Sequence, residues 1–240
     1  MTSTLHSRRA LVIGGSGGIG RAVSHALASA GAHVLVHGGA NSAGLQRTVA
    51  EIRDHGGSAE EFPLYLERAE DILPHLPQLS HVDILVVAFG PIEYCSLAET
   101  TADTWVRLTS LNIALPGVLV SHFLPPMKER GWGRIVLFSS SPAPADAAYR
   151  EIPAYAAAKA GIATLCASAA RAAGTSIVRV FGIAPEYVDT EYLGEEWRQT
   201  IQRRIAPRVL LSPETVATVV LEHITAEHSE YHGRIIPLMN

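Results

Sequence analysis

Tyr155 and Lys159, four residues apart, are the pair in this chain whose types and spacing point most directly to chemistry. On a helix, this spacing places both side chains on one face. A free tyrosine has a pKa of about 10, and a nearby ammonium lowers that pKa because it favours the phenolate. Such a tyrosine can pass a proton to or from a carbonyl or alcohol oxygen. The same spacing is also common on solvated helix faces, so neighbouring polar groups must decide between the two interpretations.

Three consecutive serines, Ser139-Ser140-Ser141, lie upstream of this pair. They follow a short apolar run at residues 134–138, which predicts a buried strand. A hydroxyl at the end of that strand can donate a hydrogen bond to the same substrate oxygen, as an oxyanion-hole donor does. The serine run therefore favours proton transfer at a carbonyl or alcohol over a solvated helix face.

A glycine-rich loop, Gly14-x-x-x-Gly18-x-Gly20, lies between an apolar run and an alanine-rich helical segment. Gly14 permits a sharp turn, Gly18 lets the backbone approach a pyrophosphate, and Gly20 lets the helix pack closely on the sheet. The N-terminus of the helix then offers unpaired N–H groups to phosphates. A flexible turn without a ligand is the alternative. The strand–loop–helix context favours dinucleotide binding.

Strand and helix patterns alternate along the whole chain, which predicts a single-domain α/β Rossmann fold over residues 1–240. Continuous apolar strands are typical of a parallel sheet covered by helices on both faces, and ligands bind beyond the carboxyl ends of its strands. The predicted strands are residues 10–13, 33–36, 60–65, 82–89, 134–138, 176–183 and 234–237. The predicted helices are residues 21–30, 43–55, 101–130 with interruptions at its prolines, 154–173 and 213–226.

Composition excludes several classes of protein. The chain has 240 residues, 48% of them hydrophobic, which is typical of a globular domain. Its 19 basic and 23 acidic residues give a net charge of -4, which argues against a nucleic-acid partner. No apolar stretch is long enough to predict a membrane span or a secretory signal.

The cysteines and histidines predict neither a disulfide framework nor a metal site. There are two cysteines, and their spacing fits no metal-binding motif, so a reduced, cytoplasmic setting is expected. The eleven histidines are scattered along the chain without a facing pair.

The glycine loop, the serine run and Tyr155-x-x-x-Lys159 together resemble the short-chain dehydrogenase/reductases, in their order and approximate spacing. The resemblance covers almost the whole chain. It is greatest to the compact classical type, which includes bacterial 3-oxoacyl-acyl-carrier-protein reductases. It implies an enzyme that moves hydride between a nicotinamide and a small-molecule carbonyl or secondary alcohol. It also implies a homo-tetramer or homo-dimer.

The resemblance implies a role for each matching residue. Tyr155 would be the general acid/base, Lys159 would lower its pKa and hold the nicotinamide ribose, and Ser140 would bind the substrate oxygen. Asn112 would support a water that links Lys159 to solvent, although a hydrogen bond to local backbone is an equally serious reading. The implied cofactor-binding residues are Gly14, Ser16, Gly17, Gly18, Ile19, Gly20, His37, Gly90, Tyr155, Lys159, Pro185, Val188 and Thr190.

The sequence departs from the family pattern mainly around the cofactor. Val87-Ala88-Phe89-Gly90 stands where the family has Asn-Asn-Ala-Gly, and Tyr65 stands where an aspartate usually touches the adenine. Ile13 replaces a threonine, Phe181 replaces an asparagine, and Glu186 replaces a glycine. These changes predict looser or altered cofactor contacts and leave Ser140, Tyr155 and Lys159 in place.

The segment after the second strand, His37-Gly38-Gly39-Ala40-Asn41, bears on the choice of cofactor. It has no acidic residue to hold the ribose 2′-hydroxyl of NAD and no basic residue to pair with the 2′-phosphate of NADP. His37, Asn41 and Ser42 can hydrogen-bond a phosphate, and this favours NADP(H). Arg21 is the nearest fixed cation, with a solvent-facing helix position as the alternative.

Residues 186–210 lie where the family carries a substrate lid, although the pattern also fits an ordinary surface helix. Two other functions stay open. The eroded cofactor positions are consistent with a non-catalytic dinucleotide-binding or scaffold protein. The same catalytic residues also suit dehydration or epimerisation.

Overall fold

The computed structural model of the chain describes residues 5–79, 81–140, 150–226 and 230–239. Seven parallel strands form one sheet, and helices cover both of its faces. The strands are β1 (Arg9–Ile13), β2 (His33–Gly38), β3 (Ser58–Pro63), β4 (Ile84–Val87), β5 (Gly133–Phe138), β6 (Val178–Pro185) and β7 (Ile235–Leu238). The α-helices are α1 (Gly18–Ser29), α2 (Ser42–Asp54), α3 (Ala102–Thr109), α4 (Leu115–Glu129), α5 (Pro153–Ala173), α6 (Glu195–Ile205) and α7 (Pro213–Thr225).

The central strand β1 shows why a continuous apolar run is needed here. Leu11 and Ile13 belong to the core shared with α4 and α5, whereas Ala10 and Val12 belong to the core shared with α1, α2 and α7. Successive side chains of a strand point to opposite faces, so both faces of β1 must be apolar. The predicted doubly wound α/β fold is confirmed.

The strand order β3-β2-β1-β4-β5-β6-β7 reverses direction at β1. β1 pairs with β2 on one side and with β4 on the other, in a register that places Ile13 beside Val87. The backbone N–H of Ala88 continues this ladder by donating to the carbonyl oxygen of Ile13 at 2.9 Å. In an open parallel sheet, this reversal leaves a crevice beyond the carboxyl ends of the strands. The glycine loop and residues 88–92 meet there.

The long helical pattern at residues 101–130 divides into three pieces. α3 is followed by a π-helical turn, Ser110–Ala114, and then by α4. Pro116 lies in the first turn of α4, directly after the π-helical turn, and it has no N–H to continue the hydrogen-bond pattern of the preceding helix. Pro125 and Pro126 lie inside α4 and do not end it, contrary to the prediction. The π-helical turn carries Asn112, and such turns occur often at functional sites.

One element was absent from the sequence-based expectation. Ala69–Leu79 forms a 3-10 helix that contains Pro74 and Pro77. The prolines obscured the helical pattern, although their fixed φ suits a 3-10 helix. β3 also lies two residues earlier than predicted, so Tyr65 follows the strand and is exposed.

Contrary to the sequence-based expectation, one helical stretch is long and apolar enough to cross a membrane by length and composition alone. It is Ala102–Glu129, with a mean hydropathy of 1.3 over its most apolar window. Half of that window is buried within the protein. Leu115, Leu119 and Phe123 of this stretch pack in the core beneath the sheet. Packing in a core accounts for this apolar character, since core helices meet the same criterion.

Candidate active site

The glycine loop brings the N-terminus of α1 to the crevice through very close backbone contacts. Gly14 has a φ of 85°, and a Cβ on it would lie 2.9 Å from the backbone nitrogen of Phe89. A Cβ on Gly20 would overlap with the carbonyl oxygen of Gly14. Side chains at these two positions are therefore excluded. The loop leaves the first N–H groups of α1 without intrahelical partners, at the place where phosphates bind in such folds.

A cleft of about 470 Å³ opens beside this loop. Its other walls are residues 37–41 at the end of β2 and residues 88–92 after β4, and Thr190 and Tyr192 also border it. Nine of the predicted cofactor-binding residues line the cleft: Gly14, Ser16, Gly17, Gly18, Ile19, Gly20, His37, Gly90 and Thr190. The glycine loop and the start of α1 give this cleft the backbone donors that bind the phosphates of a dinucleotide.

Pro185 and Val188 do not line this cleft, among the residues that the structure describes. Pro185 is the last residue of β6, and its neighbour Glu186 pairs with Arg208. Val188 forms an isolated bridge with Leu211. These contacts fix the path of the chain from β6 towards Thr190, which does border the cleft.

His37 differs from the prediction that it hydrogen-bonds a cofactor phosphate. Its Nδ1 accepts a hydrogen bond from the Gly14 N–H at 3.1 Å, and its Nε2 donates to the Leu64 carbonyl oxygen at 2.9 Å. The residue is only 2% exposed, and burial lowers its pKa to about 4, so the ring is neutral at pH 7. Both ring nitrogens are used, and none is left for a phosphate. The ring instead ties the glycine turn to the chain after β3.

Lys159, Asn112 and Gly90 meet beyond the carboxyl ends of β4 and β5. A Cβ on Gly90 would overlap with Oδ1 of Asn112 and would lie 2.9 Å from Nζ of Lys159. Lys159 Nζ donates to the Phe138 carbonyl oxygen at 2.9 Å, and it lies 5.6 Å from the centre of the Tyr155 ring. The structure thus places three of the four predicted catalytic residues, Asn112, Tyr155 and Lys159, close together.

The side chain of Asn112 is fully buried and only partly satisfied. Its Nδ2 donates to the Pro91 carbonyl oxygen at 2.9 Å. Its Oδ1 has no hydrogen-bond partner among the described residues, although it lies beside Gly90 and Lys159. A buried acceptor of this kind is normally satisfied by an ordered water. The bond to Pro91 fits the backbone-binding alternative for Asn112, and the orphaned oxygen fits the water-supporting one.

Lys159 is buried on the inner face of α5, with 5% of its surface exposed. Burial lowers its pKa to about 8, because removing the ammonium from water penalises its charged form. Below that pH the ammonium remains charged, next to the ring of Tyr155. Few structural reasons favour a lysine at such a position, since a buried ammonium destabilises the fold.

Ser139 and Ser140 follow β5 directly, at the same edge of the sheet. Ser139 hydroxyl donates to the Lys159 carbonyl oxygen at 2.9 Å, which ties the strand end to α5. Ser140 is half-buried and is the last described residue before residue 150. Ser141 and the rest of the segment up to residue 149 lie outside the described residues. Ser139 therefore has a structural role, and the catalytic role of Ser140 stays a prediction.

A second cleft, of about 450 Å³, continues from the first past His37, Phe89 and Pro91. It reaches Tyr65, which is 62% exposed, and the side chains of Arg68 and Arg107. Arg107 pairs with Glu93, and Arg68 lies 3.9 Å from Glu70. The adenosine-side substitutions named above, at positions 65 and 89, thus lie on the wall of this cleft and leave space beside them.

The segment predicted as a lid, residues 186–210, contains α6 and contacts both the chain after β4 and the glycine loop. Trp197 on α6 stacks on Tyr94, in the segment after β4, with ring centres 5.3 Å apart. At the glycine loop, the Glu191 carboxylate accepts a hydrogen bond from the Gly18 N–H at 3.1 Å. No local pattern predicts these two contacts, because each joins residues that are about 100 or more positions apart.

Comparisons with known proteins agree with the fold. The family model of the short chain dehydrogenases matches residues 8–201. Dehydrogenase/reductase SDR family member 4 of Mus musculus is 27% identical over 246 residues, which cover 97% of this chain and 86% of that protein.

Two crystal structures, each with NADP bound, are similar over almost the whole chain. A 3-oxoacyl (acyl-carrier-protein) reductase from Agrobacterium tumefaciens is 28% identical, with a TM-score of 0.87 over 98% of this chain and 93% of that one. A Beutenbergia cavernae protein, assigned as an NAD(P)-dependent gluconate 5-dehydrogenase, is 30% identical. Its TM-score is 0.86 over 99% of this chain and 97% of that one, and its NADP has low occupancy. The chain belongs to the short-chain dehydrogenase family of oxidoreductases.

Proposed function

We propose that the protein is an NADP(H)-dependent oxidoreductase that interconverts a carbonyl and a secondary alcohol, with Tyr155 as the general acid/base. The observation that carries this proposal is the arrangement of Tyr155, Lys159 and Asn112 at the edge of the dinucleotide cleft. Lys159 is buried at a cost in stability, 5.6 Å from the Tyr155 ring. A protein that only binds a nucleotide has no physical reason to keep that arrangement.

The glycine loop and its surroundings fit a nicotinamide dinucleotide. A Cβ on Gly20 or Gly14 would overlap or crowd backbone, so the loop keeps a shape in which its N–H groups face the cleft. The Gly18 N–H already holds a carboxylate, which is direct evidence that this donor points at an anion position. The loop would hold the phosphates, Thr190 would hold the carboxamide end of the nicotinamide, and Lys159 would hold the ribose. When bound, the nicotinamide supplies or accepts the hydride.

The residues of the chain divide the remaining work. Tyr155 donates a proton to the carbonyl oxygen during reduction and takes it back during oxidation. The Lys159 ammonium stabilises the phenolate that this leaves, because opposite charges close together favour the ionised phenol. Ser140 donates a hydrogen bond to the same substrate oxygen. A water on Asn112 Oδ1 relays a proton from solvent to the Tyr155 phenolate after reduction, and in the opposite direction during oxidation.

NADP(H) is favoured over NAD(H) for two reasons. The segment His37-Gly38-Gly39-Ala40-Asn41 has no carboxylate, so nothing in it repels a 2′-phosphate or binds a 2′-hydroxyl in the usual way. The two similar crystal structures described above both hold NADP. His37 is neutral and fully hydrogen-bonded, and the Asn41 side chain already bonds Ser16, Gly44 and Tyr192. Ser42 therefore remains the candidate to hydrogen-bond a 2′-phosphate.

A panel of ketones, aldehydes and 3-oxoacyl thioesters with NADPH tests the proposed reaction. Loss of the reduced-nicotinamide absorbance with at least one carbonyl is expected from the wild-type protein. Tyr155→Phe should lower that turnover about 1,000-fold, as expected for loss of a general acid, and leave NADPH affinity nearly unchanged. Full activity in Tyr155→Phe would overturn the mechanism. Turnover of hydroxyacyl substrates without any change in the nicotinamide would favour dehydration instead.

A further inference from the structure

The segment Thr190-Glu191-Tyr192 lies across the glycine loop, at the position that a cofactor pyrophosphate needs. Oε2 of Glu191 accepts from the Gly18 N–H at 3.1 Å, and Oε1 lies 3.7 Å from Nη2 of Arg21. The carboxylate is therefore held by a free N–H at the start of α1 and by a cation one turn further along. These are the two kinds of donor that bind a phosphate at a helix N-terminus.

Neighbouring contacts show that the segment is fitted to this place. A Cβ on Gly17 would overlap with the Tyr192 hydroxyl and would lie 2.9 Å from Oε1 of Glu191, so these two side chains pack directly on the glycine loop. Asn41 Nδ2 donates to the Tyr192 hydroxyl at 3.3 Å. Thr190 also lies close, with its Cγ2 3.3 Å from a Cβ on Gly18. The segment thus bridges the N-termini of α1 and α2, and a dinucleotide cannot reach the Gly18 N–H until Glu191 leaves it.

We propose that Glu191 occupies the pyrophosphate position in the free protein and is displaced by the cofactor, whose pyrophosphate then pairs with Arg21. This inference rests on the proposed function, since it assumes that a dinucleotide binds in this cleft. It assigns two residues: Glu191 is an internal competitor that lowers cofactor affinity, and Arg21 is a cofactor-binding cation. Exchange of one anion for another keeps the N-terminus of α1 satisfied in both states.

Removal of the competitor should strengthen cofactor binding. In a fluorescence titration with NADPH, Glu191→Gln and Glu191→Ala should each lower the Kd about two- to fivefold, the range expected for an anion at an exposed helix N-terminus. Glu196→Gln removes the same charge from an exposed residue of α6, and it should leave the Kd unchanged. An unchanged or higher Kd in both Glu191 variants would show that Glu191 only braces the segment, and would overturn the proposal.

Two competitors of NADPH, one with and one without phosphate, test whether the gain in affinity arises at the Gly18 N–H. Inorganic pyrophosphate, used as a competitor of NADPH, should bind more tightly to Glu191→Ala than to the wild type. Adenosine, which has no phosphate, should compete equally well against both proteins. Equal gains for adenosine and pyrophosphate would mean that the whole cleft had opened, and would contradict a local exchange at the Gly18 N–H.

A double-mutant cycle tests the assignment of Arg21. Arg21→Gln made in the Glu191→Ala background removes a cation that has already lost its internal partner. It should raise the Kd for NADPH at least about threefold relative to Glu191→Ala alone, because an ion pair with a phosphate is lost. No change would exclude Arg21 from the bound state.

If the wild type binds NADPH while these variants behave otherwise than expected, the inference fails and the proposed function stands. If no variant and no wild-type protein binds NADPH, both fail.

Discussion

The two ends of the cleft differ in what the chain places there. At the catalytic end, Asn112, Tyr155 and Lys159 are polar groups held at defined distances, and one buried oxygen is left unsatisfied. At the adenosine end, the walls are Phe89, the exposed ring of Tyr65 and a neutral His37. Proton transfer requires particular side chains at particular places, whereas phosphates can be bound by backbone N–H groups and a shaped surface. If the proposed function is right, substitutions at the adenosine end should be tolerated better than substitutions at the catalytic end.

Two buried basic residues, Lys159 and His37, show the same difference between the two ends. Burial lowers the pKa of Lys159 to about 8 and that of His37 to about 4. At pH 7 the first is still charged and lies near a tyrosine ring, whereas the second is neutral and acts as a two-ended hydrogen-bond bridge. The charge of Lys159 can stabilise the phenolate of Tyr155, whereas a neutral His37 is sufficient for a structural link.

The largest effect is expected from Lys159→Met, at the catalytic end. Turnover should fall about 100-fold or more, because Tyr155 loses the cation that stabilises its phenolate. Lys128→Met, an exposed change of the same kind on α4, should have no effect on turnover. Activity within a few-fold of the wild type would remove Lys159 from the mechanism and reduce the contrast between the two ends.

The same Lys159→Met variant should change the pH dependence of stability. The folded pKa of about 8 lies below the usual value of 10.5, so the unfolded chain binds the proton more tightly. The stability of the wild type relative to the variant is therefore lowest below pH 8. It should rise by about 3 kcal/mol as the pH increases from 8 to 10.5. Denaturant unfolding at several pH values measures this difference, and a flat difference would contradict a buried ammonium.

At the adenosine end, the effect expected from His37→Asn is on stability. The folded pKa of about 4 lies below the usual 6.5, so stability is present above pH 6.5 and is lost as the pH falls through 4. The wild type should lose up to about 3 kcal/mol over that range, and the variant should not show this loss. His55→Asn, at an exposed histidine, is the matched control and should lose stability as the wild type does. NADPH affinity should change little in His37→Asn. A large loss of affinity specific to NADPH over NADH would restore the phosphate-binding role that the sequence suggested.

Much of the fold follows from local patterns. The alternation of apolar strands and helical segments was sufficient to predict a doubly wound sheet, and the glycine loop was correctly placed between β1 and α1. The 3-10 helix at Ala69–Leu79 was missed because Pro74 and Pro77 disrupt the 3.6-residue pattern. The π-helical turn around Asn112 was also missed, since its apolar periodicity merges with that of its neighbours.

The contacts of the candidate site were harder to predict from the sequence. The family resemblance identified Asn112, Tyr155 and Lys159, and the structure brings them together. His37 was assigned to the cofactor because it can hydrogen-bond a phosphate and follows the predicted strand 33–36. The structure places it inside β2, and its partners, Gly14 and Leu64, are 23 and 27 residues away. Glu191 is 173 residues from Gly18. No local pattern in the sequence indicates such a contact.

The measurement that tests the account most directly is a titration of the wild-type protein with NADPH and with NADH, followed by nucleotide fluorescence. The account predicts micromolar binding of NADPH and weaker binding of NADH, since backbone donors hold the pyrophosphate and no carboxylate at residues 37–41 opposes a 2′-phosphate. Tighter binding of NADH would contradict the choice of cofactor. Binding of neither nucleotide would show that the changes at Tyr65 and Phe89 have abolished the site, and a non-catalytic role would then explain the protein better.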